Sequence, residues 1–215
     1  MIRLQKIIFI LIILLFASCK KNENDIEFNK DVEFNRNVLA EILPSIVDSV
    51  CRDVRIYSNP PPRYGKLIFN KEGHYVKTDS TKATSEEIQR LKKWKKEVAE
   101  IKKDTSKVII AFDPKIKTDN AIEYILNFKS IKLNGKFKLK NINEFPKENI
   151  FERKYNFNFS GILKISGIKF DKKRENGSLN VGYTCGGLCG YGNIIVIKKV
   201  KNKWKIIKME ETWIS

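Results

Sequence analysis

The sequence predicts an α+β fold, with N-terminal helices packed on a C-terminal antiparallel sheet. Three observations carry this. In the first half, apolar residues recur at three- and four-residue steps, at Val38, Ile42, Ile46 and Val50, and again at Ile88, Leu91, Trp94, Val98 and Ile101. In the last third they alternate with polar residues, at Tyr155, Phe157 and Phe159 and at Leu179, Val181, Tyr183 and Cys185. Turn residues separate these later runs, so the strands pair as a meander.

The first helix begins at Asp31, with Leu39 and Leu43 beside its apolar stripe; Pro44 bends or divides it by removing a backbone donor, and Cys51 falls at its end on the side of Val47. N-P-P-P-R-Y-G is a stiff extended connector ending in a glycine turn. A short strand follows over 66–70, and E-G-H-Y marks a turn. Thr84 and Glu87 form a capping box at the start of the second helix. V-I-I-A-F reads as a buried strand, and residues 120–129 as a short helix through Ile122, Ile125 and Leu126. I-K-L-N-G-K-F-K-L reads as a hairpin turning at Asn134–Gly135, and a second Asn-Gly turn is expected at 176–177. Ile194 to Ile197 begins a return strand, Asn202 and Lys203 turn the chain, and the apolar phase slips between Ile206 and Ile207, as at a bulge or in a strand buried on both faces. No internal repeat is visible.

Ahead of these elements, Arg3 and Lys6 precede an unbroken apolar run from Ile7 to Phe16, then the small residues Ala17 and Ser18. This is the layout of an export signal, and the run is short of the roughly 20 residues that a spanning helix needs. L-F-A-S-C resembles the lipobox of bacterial lipoproteins, although an aliphatic residue is commoner than Phe16 at its place. The resemblance implies that Cys19 is acylated and becomes the mature N-terminus. The expected organisation is therefore a lipoprotein signal peptide over 1–18, a lipid-attached tether over 19–30 and one domain over 31–215. The expected location is the bacterial cell envelope at the outer membrane, with either face open. S-C-K-K-N followed by Glu23, Asp25 and Glu27 is similar to the start of many Bacteroidetes lipoproteins.

The chain of 215 residues carries a formal net charge of +17. Nucleic acid is nevertheless not the expected partner: only 8 of its 42 basic residues are arginine, the residue suited to phosphate and base forks. The lysines are spread along the chain beside isoleucine and asparagine, a pattern that AT-rich codons produce. Anionic lipid or polysaccharide suits an exported basic surface better, and a protein partner stays open.

The stretch Y-T-C-G-G-L-C-G-Y-G, Tyr183 to Gly192, holds two of the four cysteines. Gly186, Gly187, Gly190 and Gly192 permit backbone angles closed to other residues, so the segment can curl and bring Cys185 and Cys189 within the roughly 4.4–6.8 Å of a disulfide. Export favours that bond. A redox site would want C-x-x-C at a helix start, and zinc would need Cys51 and His74 from unpaired positions. No phosphate loop or nucleophile turn is present in the sequence, the single histidine lies in a turn, and Glu210 and Glu211 point to opposite strand faces. Trp94 and Trp204 read as core, and Trp213 as a cover for the end of the sheet.

This stretch, the upstream F-S-G-I-L-K-I-S-G-I-K-F, K-W-K-I and the terminal W-I-S together resemble the C-terminal third of a group of uncharacterised exported bacterial proteins, many of them Bacteroidetes lipoproteins. The resemblance implies kinship and assigns no residue a role. The expected function is a lipid-anchored envelope protein with a binding or interaction role, no catalytic residue, no metal site and no cofactor. The competing readings are a carboxylate-dependent hydrolase of envelope polymers, and an immunity or inhibitor protein.

Overall fold

The structure is a computed structural model that describes residues 23–118 and 122–215, with side chains from residue 29 onward. The expectations for the signal peptide and for Cys19 lie outside these residues. The described residues fall into two units that divide after Val38. The first holds the start of helix α1 (Glu23–Val50), which begins eight residues before Asp31, inside the stretch expected to be a tether. The second unit holds everything below.

Helix α1 runs on through Pro44, and its residues Leu39, Ile42, Leu43, Ile46, Val47 and Val50 are completely or almost completely buried. After Cys51 comes a single helical turn, α2 (Val54–Tyr57), capped by the Asp53 side chain. Strands β1 (Lys66–Phe69) and β2 (Tyr75–Asp79) form a separate two-stranded hairpin. Helix α3 (Ser85–Lys103) starts at the predicted capping box: Thr84 accepts from the Glu87 backbone, and the Glu87 side chain accepts from the Thr84 backbone.

A seven-stranded sheet then forms from β3 (Val108–Phe112), β6 (Phe137–Asn141), β7 (Asn158–Ile165), β8 (Lys169–Phe170), β9 (Asn176–Gly186), β10 (Cys189–Val200) and β11 (Lys203–Ile214). Their order is β11-β10-β9-β7-β3-β6, with β8 also beside β9. The α+β class is as predicted, and the C-terminal strands β7 to β11 pair antiparallel; the sheet as a whole is mixed because β3 runs parallel to both β6 and β7. All five residues of β3 are buried, as befits a strand with neighbours on both sides and cover on both faces. One cover is an aromatic cluster in which Ile109 and Ala111 meet Phe145, Tyr155, Phe157 and Phe159. On the opposite face, Phe112, Leu163, Tyr183 and Tyr191 stand in register across β3, β7, β9 and β10.

Three local expectations give way. Residues 123–125 form β5 (Glu123–Ile125), antiparallel to β4 (Lys115–Lys117), where a helix was expected. The buried residues there are Tyr124, Leu126 and Phe128, at a period of two, and Ile125 is exposed. Asn134–Gly135 does not turn a hairpin, because β6 pairs with distant β3 instead of with the chain just before it. Asn176 and Gly177 lie inside β9; the turn sits earlier, where Asp171 accepts from the Glu175 backbone and the Asn176 amide and Arg174 takes a left-handed φ of 53°. The phase slip at Ile207 is a β-bulge: Val196 faces Lys208 and Ile197 faces Ile206, leaving Ile207 unpaired and exposed.

Candidate functional site

The strands β9 and β10 carry the cysteine-glycine segment as a tight hairpin with Gly187 and Leu188 at its tip. Cys185 and Cys189 stand at disulfide distance, with Cα atoms 5.0 Å apart. Positive φ does not explain the four glycines, because those values fall on Gly65, Gly73 and Gly161 and not on Gly186, Gly187, Gly190 or Gly192. Space explains two of them. A Cβ on Gly192 would stand 2.0 Å from Trp213 Nε1, and one on Gly190 would stand 3.1 Å from Trp213 Cζ3. Gly182, paired with Gly192, continues the clearance, with Trp213 Cζ2 at 3.9 Å from its would-be Cβ. The indole of Trp213 therefore lies along a track of glycines on the outer face of the sheet. Gly190 and Ser215 also exchange backbone hydrogen bonds, at 3.3 Å and 2.9 Å. The terminal W-I-S and the cysteine-glycine segment are two halves of one structure, which accounts for their occurring together in the sequence.

On the inner face, the segment that leaves α1 is fastened by three strands. The Tyr183 hydroxyl, fully buried, donates to the carbonyl of Ser160 at 2.7 Å and lies 3.1 Å from that of Arg52. Ser160 Oγ donates to the same Arg52 carbonyl at 2.5 Å and accepts from the Val54 backbone at 2.6 Å. The Tyr191 hydroxyl donates to the carbonyl of Val50. A helix end leaves its last carbonyls without intrahelical donors; Tyr191 supplies that of Val50, while Ser160 and Tyr183 hold the Arg52 carbonyl just beyond the helix. Gly161, next to Ser160, leaves the room this needs: a Cβ there would come 2.7 Å from the Tyr183 ring carbon bearing the hydroxyl. Burial raises the pKa of both tyrosines. It also raises that of Cys51, aided by nearby Asp48, which disfavours the thiolate.

Next to this clamp, Asp53 is buried and holds Arg55 at 2.8 Å and Lys136 at 2.5 Å. Arg55 extends to Asp104, whose carboxylate also accepts from Ser106. Burial alone would raise the pKa of Asp53, but the hydrogen bonds from Arg55 and Lys136 outweigh it and hold it below the ordinary value. Asp104 is lowered too, chiefly by its bonds from Ser106 and then by Arg55.

The remaining sequence candidates are scattered. His74 lies in the exposed turn between β1 and β2. Trp94 is half-buried and donates to the Asn59 carbonyl at 2.7 Å, and Trp204 is buried with its ring edge against Phe170. Cys51 and His74 do not come together in a metal set; among the described residues, no group of three or more metal-ligating side chains occurs. The clamp and the Asp53 network were not legible as such, because the contacts that close them join residues far apart along the chain: 83 positions for Lys136 and Asp53, 108 for Ser160 and Arg52, and 131 for Tyr183 and Arg52. Tyr183 at an inward strand position was the available signal. Among the described residues no helix is long and apolar enough to cross a membrane.

The class defined by these features is an α+β domain with a mixed sheet, a tyrosine-clamped helix end and a disulfide-distance hairpin. No family model matches the chain, and neither a curated protein nor a solved structure does so.

Proposed function

We propose that this is a lipid-anchored protein of the bacterial cell envelope, at the outer membrane, with a non-catalytic binding or interaction role. The observation that carries the reading is the N-terminal order of Arg3 and Lys6, the apolar run Ile7 to Phe16, and Ala17-Ser18-Cys19. Diacylation of Cys19 would hold the domain at the bilayer, since each buried CH2 contributes about 0.8 kcal/mol and several chains act together. The cysteine pair at disulfide distance supports a life outside the reducing cytoplasm. The chemistry of the domain supports a binding role. Its most perturbed groups, Cys51, Asp53, Arg55, Asp104 and Tyr183, are buried or engaged with one another, and their hydrogen bonds fasten the fold.

The test is intact mass and peptide mapping of the protein from membranes, with and without reduction before alkylation. The reading expects an N-terminal acylated Cys19 and a Cys185–Cys189 cross-linked peptide. A retained signal segment with an unmodified Cys19 would refute the anchor. Free, alkylatable Cys185 and Cys189 would refute the bridge and reopen redox or metal chemistry at the hairpin.

A further inference from the structure

The β1–β2 hairpin presents its apolar residues to solvent. Leu67, Phe69, Tyr75 and Val76 are exposed by 37%, 54%, 58% and 56%. The ribbon is ordered all the same. Phe69 and Tyr75 are cross-strand partners, their rings edge to face at 6.3 Å. A bulge at Val76 lets Tyr75 reach Thr78, the partner of Leu67, with 2.9 Å between the two hydroxyl oxygens. The tip is closed by Asn70, whose backbone donates to the His74 carbonyl and whose side chain accepts from the His74 backbone at 2.8 Å. The base is tied to α3, where Glu87 accepts from the Gly65 backbone at 3.3 Å. A two-stranded hairpin is marginal on its own, and this one keeps an aromatic face uncovered.

The charges beside that face indicate its occupant. Residues 63–79 include Arg63, Lys66, Lys71 and Lys77 against Glu72 and Asp79, and Asp79 is already engaged by Thr81. Aromatic rings interleaved with lysines are what a bilayer interface selects: rings lie at headgroup level and ammonium groups reach the phosphates. Exposed apolar side chains also occur on β11, at Ile207, Met209, Trp213 and Ile214, but there the adjacent pair Glu210 and Glu211 stands among them.

We propose that the β1–β2 hairpin is a membrane-contact element, placing Leu67, Phe69, Tyr75 and Val76 in the headgroup region of an anionic phospholipid bilayer while Lys66, Lys71 and Lys77 meet lipid phosphates. The inference rests on the proposed membrane location. It adds a second point of contact beside the lipid anchor, which restricts the domain's orientation on the bilayer.

The experiment places an environment-sensitive fluorescent amino acid at Val76, or at Leu188 in a control, since Leu188 is 94% exposed at the tip of the β9–β10 hairpin. Each full chain is incorporated into vesicles of phosphatidylcholine alone or of phosphatidylcholine mixed with phosphatidylglycerol. The expected result is a blue shift and several-fold stronger quenching by nitroxide lipids at position 76 in the mixed vesicles only. Position 188 stays aqueous, and Phe69→Ser with Tyr75→Ser abolishes the shift without changing the circular dichroism. An aqueous signal at 76 in both vesicles overturns the proposal. So does an equal shift at 76 and 188, or a shift that appears only when envelope proteins are added, which would assign the face to a protein partner. The mass of the Cys19 peptide from the same sample reads the anchor separately, so that failure of the anchor and failure of the hairpin contact are distinguishable.

Discussion

Replacing Gly192 by alanine tests whether Trp213 and the glycine track form one unit. The added Cβ would stand 2.0 Å from Trp213 Nε1, whereas ordinary contacts to carbon lie at about 3.5–4.0 Å. The ring must retreat by about 1.5 Å or more, which lifts it off Gly190 and Gly182 as well. Trp213 is 47% exposed, so about half of a side chain of roughly 200 Å2 loses its cover. At about 25 cal/mol per Å2 that loss is ~2.5 kcal/mol. Alanine recovers about 0.5–1 kcal/mol over glycine in a strand, leaving a net cost of about 2 kcal/mol. The assay is urea unfolding followed by circular dichroism for the parent, Gly192→Ala, Trp213→Ala and the double variant. Once Trp213 is gone the extra methyl meets open space, so Gly192→Ala should become neutral or slightly stabilising, with a coupling of about 2 kcal/mol. Strictly additive losses would refute the reasoning and place the cost of the methyl elsewhere.

Tyr183→Phe removes the hydroxyl that donates to the Ser160 carbonyl inside the clamp and should cost about 1–3 kcal/mol in the same unfolding assay. Asp53 is held below its ordinary pKa when folded, so its contribution is present above the unfolded value, near 4, and disappears as pH falls through the lower folded value. Asp53→Asn should therefore be less stable than the parent at pH 7, with the gap closing below about pH 4; a constant gap in a pH series of thermal melts would exclude the network. In denaturant without reductant, alkylation should modify Cys51, which native burial protects, and leave Cys185 and Cys189 unmodified; peptide mass spectrometry reads this directly. Reducing the bridge should cost about 2 kcal/mol for so small a ring, seen as a lower urea midpoint.

The sequence was most readable where a residue's fate depends on near neighbours. The capping box at Thr84 and Glu87, the alternation of Leu179, Val181 and Tyr183, and the phase slip at Ile207 are all local patterns, and each appears as read. The errors come from non-local pairing. Phe137 to Asn141 alternates like half of a hairpin, but its partner is β3, some 30 residues earlier, and nothing local announces a parallel neighbour. Asn176–Gly177 has the composition of a turn, yet the pairing of β9 with β8 and β10 draws both residues into a strand and moves the reversal to Asp171–Arg174. The aromatic face of Tyr155, Phe157 and Phe159 was visible from spacing, whereas Phe145, which completes it, comes from a separate segment. At the hairpin, the cysteine pairing was legible because four residues separate the two positions. The reason for Gly190 and Gly192 was not, because it lies in the Trp213 ring on the neighbouring strand β11.

The fastening of the α1 exit has a mechanical consequence. Its carbonyls and the Val54 amide are held from β7 through Ser160, from β9 through Tyr183 and from β10 through Tyr191. A pull on the end of this helix is therefore divided among three adjacent strands in the middle of the sheet, while the edge strand β11 holds α1 further back, where the Trp204 backbone donates to the Glu41 carboxylate at 2.9 Å. Strands pulled together along a shared row resist as a sheared block, in which many ladder bonds must fail at once, whereas an edge strand peels one bond at a time.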